Sequence, residues 1–334
     1  MEYRNLSEEQ RAGQRLMVGF DGATLDDTLK FYIDNMKVGG LILFSRNIDS
    51  PAQVKELCAQ AQAYASGCGQ PPLFIGIDQE GGMVARLKPP FTQFKGNPFM
   101  TSRDDAVDFA VTTGRELTRI GVNMNMAPVL DVLPADGGPS VMQGRAFSHD
   151  PQHVTQMGIT VIDHLQQSKV MAVAKHFPGI GRTVLDSHED LPDLDIDAGT
   201  LALTDLLPFQ AAIDAGVAGI MLSHIRYLGI DPHWPASLSP VITEEILRRQ
   251  LDFQGVVMTD DLDMGAIAKH YPLPRIVEQC LQATVDILLI CHPGPKIQDA
   301  RDHILALLQG DRELARKEEE SLRRIFRLKE QYLS

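Results

Sequence analysis

Two stretches of this chain carry side chains that can move a proton or attack carbon. The first is Lys175-His176-Phe177-Pro178-Gly179-Ile180-Gly181-Arg182-Thr183-Val184-Leu185-Asp186-Ser187-His188, in which a carboxylate stands two residues before an imidazole. In an extended segment that spacing sends both side chains to one side. Asp186 could then orient His188 and support the proton it carries, which suits a general acid–base group. The competing reading is an Asx-type turn with a solvated histidine. The second stretch is Val256-Val257-Met258-Thr259-Asp260, an apolar run that ends in a carboxylate. Near Lys175 and arginines such a carboxylate stays ionised at neutral pH and can attack an electrophilic carbon or stabilise a cation. Asp261 competes for the role, since only one of two adjacent side chains can point inward. Asp263 reads as a helix-start residue. An ionised carboxylate paired with a separate proton donor is the logic of glycoside hydrolysis, where the donor is usually a second carboxylate and here would be His188.

Groups so far apart in sequence need a scaffold that gathers them. Short apolar runs recur at Arg15–Phe20, Gly40–Phe44, Leu73–Asp78, Val122–Leu130, Met171–Phe177, Ala218–Ile225, Val256–Asp260 and Asp286–Cys291. Between most of them lie amphipathic segments: Pro51–Tyr64, Arg103–Ile120, Pro151–Gln167, Thr204–Ala215, Thr243–Gln250 and Leu273–Ala283. Ser50-Pro51 and Asp150-Pro151 are helix-start signals, a capping side chain before proline. Eight strands alternating with helices predict an α/β fold of the parallel (β/α)₈ barrel type. A doubly wound sheet is the rival, but no Gly-rich first turn follows Phe20. Arg312–Leu333 predicts a charged C-terminal helix, with Leu314, Leu322, Ile325, Phe326 and Leu328 on one face and its charges solvated.

Barrels of this kind carry their active sites at the C-terminal ends of the strands. Strand three ends in Asp78-Gln79-Glu80, and strand four carries Asn123 and Asn125 and ends near Asp131. Strand five ends in Lys175-His176, six in Ser223-His224, seven in Asp260-Asp261 and eight in His292. That ring of carboxylates, imidazoles and a lysine at one mouth is poorly explained by structural roles alone.

The 334 residues carry 31 Lys and Arg against 44 Asp and Glu, a formal charge of −13 that argues against nucleic acid and anionic lipid as partners. Four scattered cysteines form no CxxC pair. No HxH pair stands on an early strand, and Asp78 with Glu80 is weak evidence for a cation, so no metal is expected. The first residues lack the pattern of a signal peptide, and no apolar run approaches the ~20 residues of a membrane span. A cytoplasmic location is expected.

The chain resembles glycoside hydrolase family 3, and within it the bacterial β-N-acetylglucosaminidase branch. The resemblance runs through GQRLMVGF, GGLILFSRNI, GIDQEGGMVARL, NMNMAPVLDV, GRAFSHD, KHFPGIGRTVLDSHEDLP and GVVMTDDLDMGAI. It implies a single catalytic barrel over residues 1–334, with 311–334 a helical tail. It makes Asp260 the nucleophile, His188 the general acid–base residue and Asp186 its partner. Asp78, Arg86, Arg145, Lys175 and His176 would bind the terminal sugar. Two positions depart from the family pattern, Met83 standing for arginine and Ile180 for histidine. The activity implied is exo-β-N-acetylglucosaminidase with retention, on muropeptide fragments, without a cofactor. A phosphorylase, a broader β-glycosidase and a silent sugar-binding relative remain as alternatives.

Overall fold

Eight short runs pair in parallel and close on themselves. The computed structural model describes residues 3–334; Met1 and Glu2, the first two residues of the expected domain, lie outside the described residues. The strands are β1 (Leu16–Val18), β2 (Gly40–Leu43), β3 (Phe74–Ile77), β4 (Met124–Asn125), β5 (Met171–Phe177), β6 (Gly219–Leu222), β7 (Val256–Asp261) and β8 (Ile287–Ile290). Each pairs with the next, and β1 pairs with β8 to complete the (β/α)₈ barrel. Every strand residue is buried except Asp260 and Asp261. Strands covered on both sides have no solvated face, which is why they read as continuous apolar runs.

Alternation sorts these residues between two layers. In β8, Leu288 and Ile290 face the helices while Ile287 and Leu289 face the interior. Met17, Met124, Met126, Met171, Met221 and Met258 all belong to the interior cluster. Unbranched thioether side chains fill such irregular space well.

The expected helices form at Pro51–Gly67, Arg103–Arg119, Pro151–Gln167, Val241–Gln250 and Leu273–Gln282. Ser50 and Asp150 cap theirs as the sequence indicates, accepting from the backbone N–H groups of Gln53 and Gln152. The expected helix Thr204–Ala215 forms over Leu207–Asp214, and a further short helix, Ala198–Leu203, precedes it. Helices Asp27–Asp34 and Pro295–Gly310, unmarked in the sequence reading, complete the outer layer. Among the described residues no helix is long and apolar enough to cross a membrane.

The helix Arg312–Leu333 closes the barrel at the end opposite the active site. Leu322, Ile325, Phe326 and Leu328 join the interior cluster, and Leu314 joins the outer one. Its charges are not all solvated, contrary to the sequence reading. Glu318 is buried against Arg11 at 2.8 Å. Lys329 is buried too, and donates to the carbonyls of Gly39 and Pro72 and to Gln14 Oε1. Burial pulls its ammonium down to about 7. Arg324 reaches Asp286 at 2.8 Å, and Arg248 holds the same carboxylate at 2.7 Å. Asp286 is fully buried and also accepts from Ser321 and from the Val257 N–H. Replacing it with alanine strands two guanidiniums at the helix seat. We expect Asp286→Ala to cost roughly 3–5 kcal/mol in urea unfolding, the size seen when one partner of a buried pair is lost.

Candidate active site

All eight residues singled out from the sequence line one cavity of about 220 Å³ at the C-terminal end of the barrel. Asp78, Arg86, Arg145, Lys175, His176, Asp186, His188 and Asp260 share its wall with Val84, Val141, Met142, Ile180, Ser187 and Met264. The groups come from β5 and β7 and from the loops that follow β3, β4 and β5.

The floor is a network of opposite charges. Lys175 Nζ lies 2.8 Å from Asp78 and 2.6 Å from Glu80. Arg86 reaches the other oxygen of Asp78 at 3.1 Å, and Arg145 grips Glu80 with two nitrogens at 3.1 and 2.8 Å. The place a cation would take between the two carboxylates is thus held by an ammonium. Burial alone would raise Asp78, but the neighbouring Lys175 and Arg86 outweigh it and hold the carboxyl well below the usual range. Glu80 is lowered in the same way, burial being offset by Lys175 and Arg145. Asp78 therefore presents an ionised, strongly accepting oxygen to the cavity.

Asp260 stands at the open end of β7. Burial pushes its carboxyl up, while the His176 and His224 imidazoles and the Asp261 N–H, 2.8 Å away, bring the net shift below the ordinary value. It is a carboxylate at neutral pH. Asp261 turns the other way: its Oδ1 accepts from the N–H groups of Asp263 and Cys291, which ties β7 to β8. Asp263 is not a helix cap but accepts from the His292 N–H and from Lys296 Nζ. Of the two adjacent carboxylates, Asp260 lines the cavity and Asp261 does not.

Two histidines flank the carboxylate with different partners. His224 is fully buried, which pushes its ring down toward the neutral form. Its Nε2 donates to the Asp261 carbonyl at 3.0 Å and its Nδ1 accepts from Ser237 Oγ at 2.7 Å. His176 donates from Nδ1 to the buried Asp131 at 2.8 Å, which leaves Nε2 for a ligand. Asp131 also accepts from the Ile180 N–H, so it holds the start of the following loop.

At the tip of that loop His188 Nδ1 donates to Asp186 Oδ1 at 2.8 Å, and the His188 N–H donates to the same oxygen at 2.9 Å. The pairing expected from sequence is present, but its geometry differs. The carboxylate closes an Asx-type turn, so the two side chains meet by folding back rather than by lying on one face of an extended run. The turn fixes the ring and leaves Nε2 open at the cavity mouth.

The description "Glycosyl hydrolase family 3 N terminal domain" matches residues 8–328. The chain belongs to glycoside hydrolase family 3. It is similar to β-hexosaminidases of Nitrosomonas eutropha, 36% identical over 307 residues (89% of this chain, 84% of the relative), and Thiobacillus denitrificans, 37% identical over 306 residues (89% and 82%). Among solved structures it resembles the family 3 β-N-acetylglucosaminidase of Paenibacillus sp. str. FPU-7, with TM-score 0.94 and 35% identity, covering 98% of this chain and 63% of that one. The β-N-acetylhexosaminidase of Beutenbergia cavernae gives TM-score 0.90 and 30% identity, covering 97% and 99%. This chain spans less than two thirds of the Paenibacillus chain and nearly all of the Beutenbergia chain.

Within this family 3 barrel some strand-end residues do structural work instead. Asn123 bonds the Ile75 N–H and the Leu73 carbonyl, and Asn125 bonds the N–H and carbonyl of Gln79. They extend the ladder between β3 and the two-residue β4. His292 is 70% exposed in its side chain and pairs with Asp263 outside the cavity. Of the two departures from the family pattern, Ile180 is buried in the cavity wall, whereas Met83 is 75% exposed beyond it. Glu80, Asp131 and His224 were visible in sequence only as strand-end polar residues, because their partners lie on other strands.

Proposed function

We propose that this glycoside hydrolase is an exo-acting β-N-acetylglucosaminidase that works with retention of configuration. The observation that carries the reading is that an ionised Asp260 and the Asp186-paired His188 line the same small cavity. The names of its relatives support the sugar: they are β-hexosaminidases and β-N-acetylglucosaminidases. A cavity of about 220 Å³ suits one terminal residue better than the interior of a polysaccharide.

In the first step an Asp260 oxygen attacks the anomeric carbon, and the bond to the leaving oxygen breaks as that oxygen takes the proton from His188 Nε2. A glycosyl–enzyme ester and a free aglycone result. In the second step neutral His188 takes a proton from water, whose oxygen attacks the anomeric carbon and restores Asp260. Asp186 holds the His188 ring through Nδ1 during the first step. Asp78, held ionised by Lys175 and Arg86, accepts from sugar hydroxyls. The family resemblance supports muropeptide fragments in the cytoplasm as substrates, with N-acetylglucosamine leaving an anhydro-muramic acid neighbour.

The test is release of nitrophenol from 4-nitrophenyl N-acetyl-β-glucosaminide, with NMR of the sugar formed in the first minutes. The β-anomer appearing first is the expected result, and the α-anomer appearing first would overturn retention. The same assay with phosphate tests the acceptor. A histidine base does not repel that anion as a carboxylate would, so sugar 1-phosphate as the main product would make the enzyme a phosphorylase.

A further inference from the structure

The loop that carries His188 rests on the segment that follows the nucleophile. Four consecutive loop residues each make one hydrogen bond to it. The Ala266 N–H donates to the Ser187 carbonyl at 3.0 Å, and the Gly265 N–H to the His188 carbonyl at 3.2 Å. Lys269 Nζ donates to the Glu189 carbonyl at 2.6 Å, and His270 Nε2 to Asp190 Oδ1. We propose that this stretch is the seat that positions the acid–base group, with Gly265, Lys269 and His270 as positioning residues for His188. The inference rests on His188 being the acid–base residue.

The division of labour follows from where each contact acts. Asp186 sets the direction of the His188 ring. Where the ring sits over the cavity depends on the backbone of residues 187–190, and that backbone is pinned by the seat. The seat is itself braced to the nucleophile. The Met264 N–H donates to the Asp261 carbonyl, and the Asp263 N–H to the Asp261 side chain. Lys296 anchors Asp263 from the helix beyond β8. Only four residues of chain lie between Asp260 and Gly265, so one rigid stretch presents the nucleophile and holds the proton donor above it.

Gly265 is the contact that admits no substitute. A Cβ there would lie 2.6 Å from both the His188 and the Glu189 carbonyl oxygens. Gly265 also opens the helix Gly265–Ala268, where alanine is an excellent former, so an added methyl strains nothing in the seat itself. The cost falls on the loop, which must retreat by about 1 Å to restore ordinary contact, and a displacement of that size costs on the order of 10²-fold when a catalytic group is misplaced.

The experiment compares leaving groups in the full chain. A 2,4-dinitrophenyl N-acetyl-β-glucosaminide departs with little help from an acid, whereas the disaccharide of two β-linked N-acetylglucosamines needs its oxygen protonated. Gly265→Ala is expected to lower kcat/KM on the disaccharide by about 10²-fold while the dinitrophenyl substrate falls by less than about five-fold. Lys269→Ala, at the loop surface, should show the same asymmetry more weakly, and Lys269→Arg, which keeps a donor for the Glu189 carbonyl, should abolish it. Azide should accelerate turnover of the dinitrophenyl substrate by Gly265→Ala and yield a β-glycosyl azide, because a small anion needs no base in the second step. Equal losses on both substrates, or none in either the Gly265 or the Lys269 variant, would overturn the seat. His188→Ala is the control. If that variant shows no asymmetry, the acid–base assignment itself has failed; if it does and the seat variants do not, only the present inference has.

Discussion

Asp260→Ala is expected to reduce kcat by about 10⁴-fold or more on 4-nitrophenyl N-acetyl-β-glucosaminide, the scale of loss when a nucleophile is removed. The fold should survive the change. Asp260 is one of two residues of the eight barrel strands that are not buried, and it accepts from the adjacent Asp261 N–H. Its charge is held against burial mainly by the two imidazoles beside it. Removing the carboxylate therefore takes away the attacking oxygen without stranding a buried partner. Circular dichroism and thermal melting should match the wild type. Asp261→Ala should behave in the opposite way, losing stability first, because that side chain ties β7 to β8. Undiminished turnover by Asp260→Ala would sink the mechanism proposed above.

The second large effect is on the charge network. Lys175 is 3% exposed and neutralises two carboxylates at once. Lys175→Met keeps the length of the side chain and removes the charge, leaving Asp78 with Arg86 and Glu80 with Arg145. We expect a loss of roughly 3–5 kcal/mol in urea unfolding, as for other buried pairs broken from one side. The acid limb of stability should move as well. In the wild type Asp78 has a folded pKa below its unfolded value, so its contribution is fully present above about pH 4 and is lost as pH falls through the lower folded value. Without the ammonium the folded value rises toward the unfolded one, so Asp78 contributes less stability at neutral pH and the variant should lose less of its remaining stability as pH falls. Unfolding curves from pH 3 to 7 would show it. An unchanged acid limb would mean that Arg86 alone sets the Asp78 charge.

Much of the fold was legible because barrel strands are buried on both faces. The eight apolar runs needed no partner to be seen, and the capped starts at Ser50 and Asp150 are local chemistry. Boundaries were less legible. Val122–Leu130 reads as one long strand, yet it pairs as Met124–Asn125 and, after a break, as a single bridge from Val129 to Lys175, with asparagine side chains supplying bonds beside the first. The C-terminal helix shows the limit of composition. Its charges suggest a solvated face, but Glu318 and Lys329 are buried because acceptors and donors from the barrel floor meet them.

The sequence by itself determined which groups reach the mouth of the barrel: a side chain at the end of a β-strand has its place set by strand order. Strand ends bring Asp78, Lys175, His176 and the Asp260-Asp261 pair there, but the period of two neither chooses between Asp260 and Asp261 nor admits both Lys175 and His176, which nevertheless line one cavity. What only the tertiary structure decided is the state of each group and its company. Lys175 between two acids, His224 driven neutral behind Asp260, and Gly265 giving the loop room to sit all depend on contacts between segments far apart in the chain. Burial and Coulomb interactions act over a few ångströms of space, and no spacing along the sequence encodes that distance.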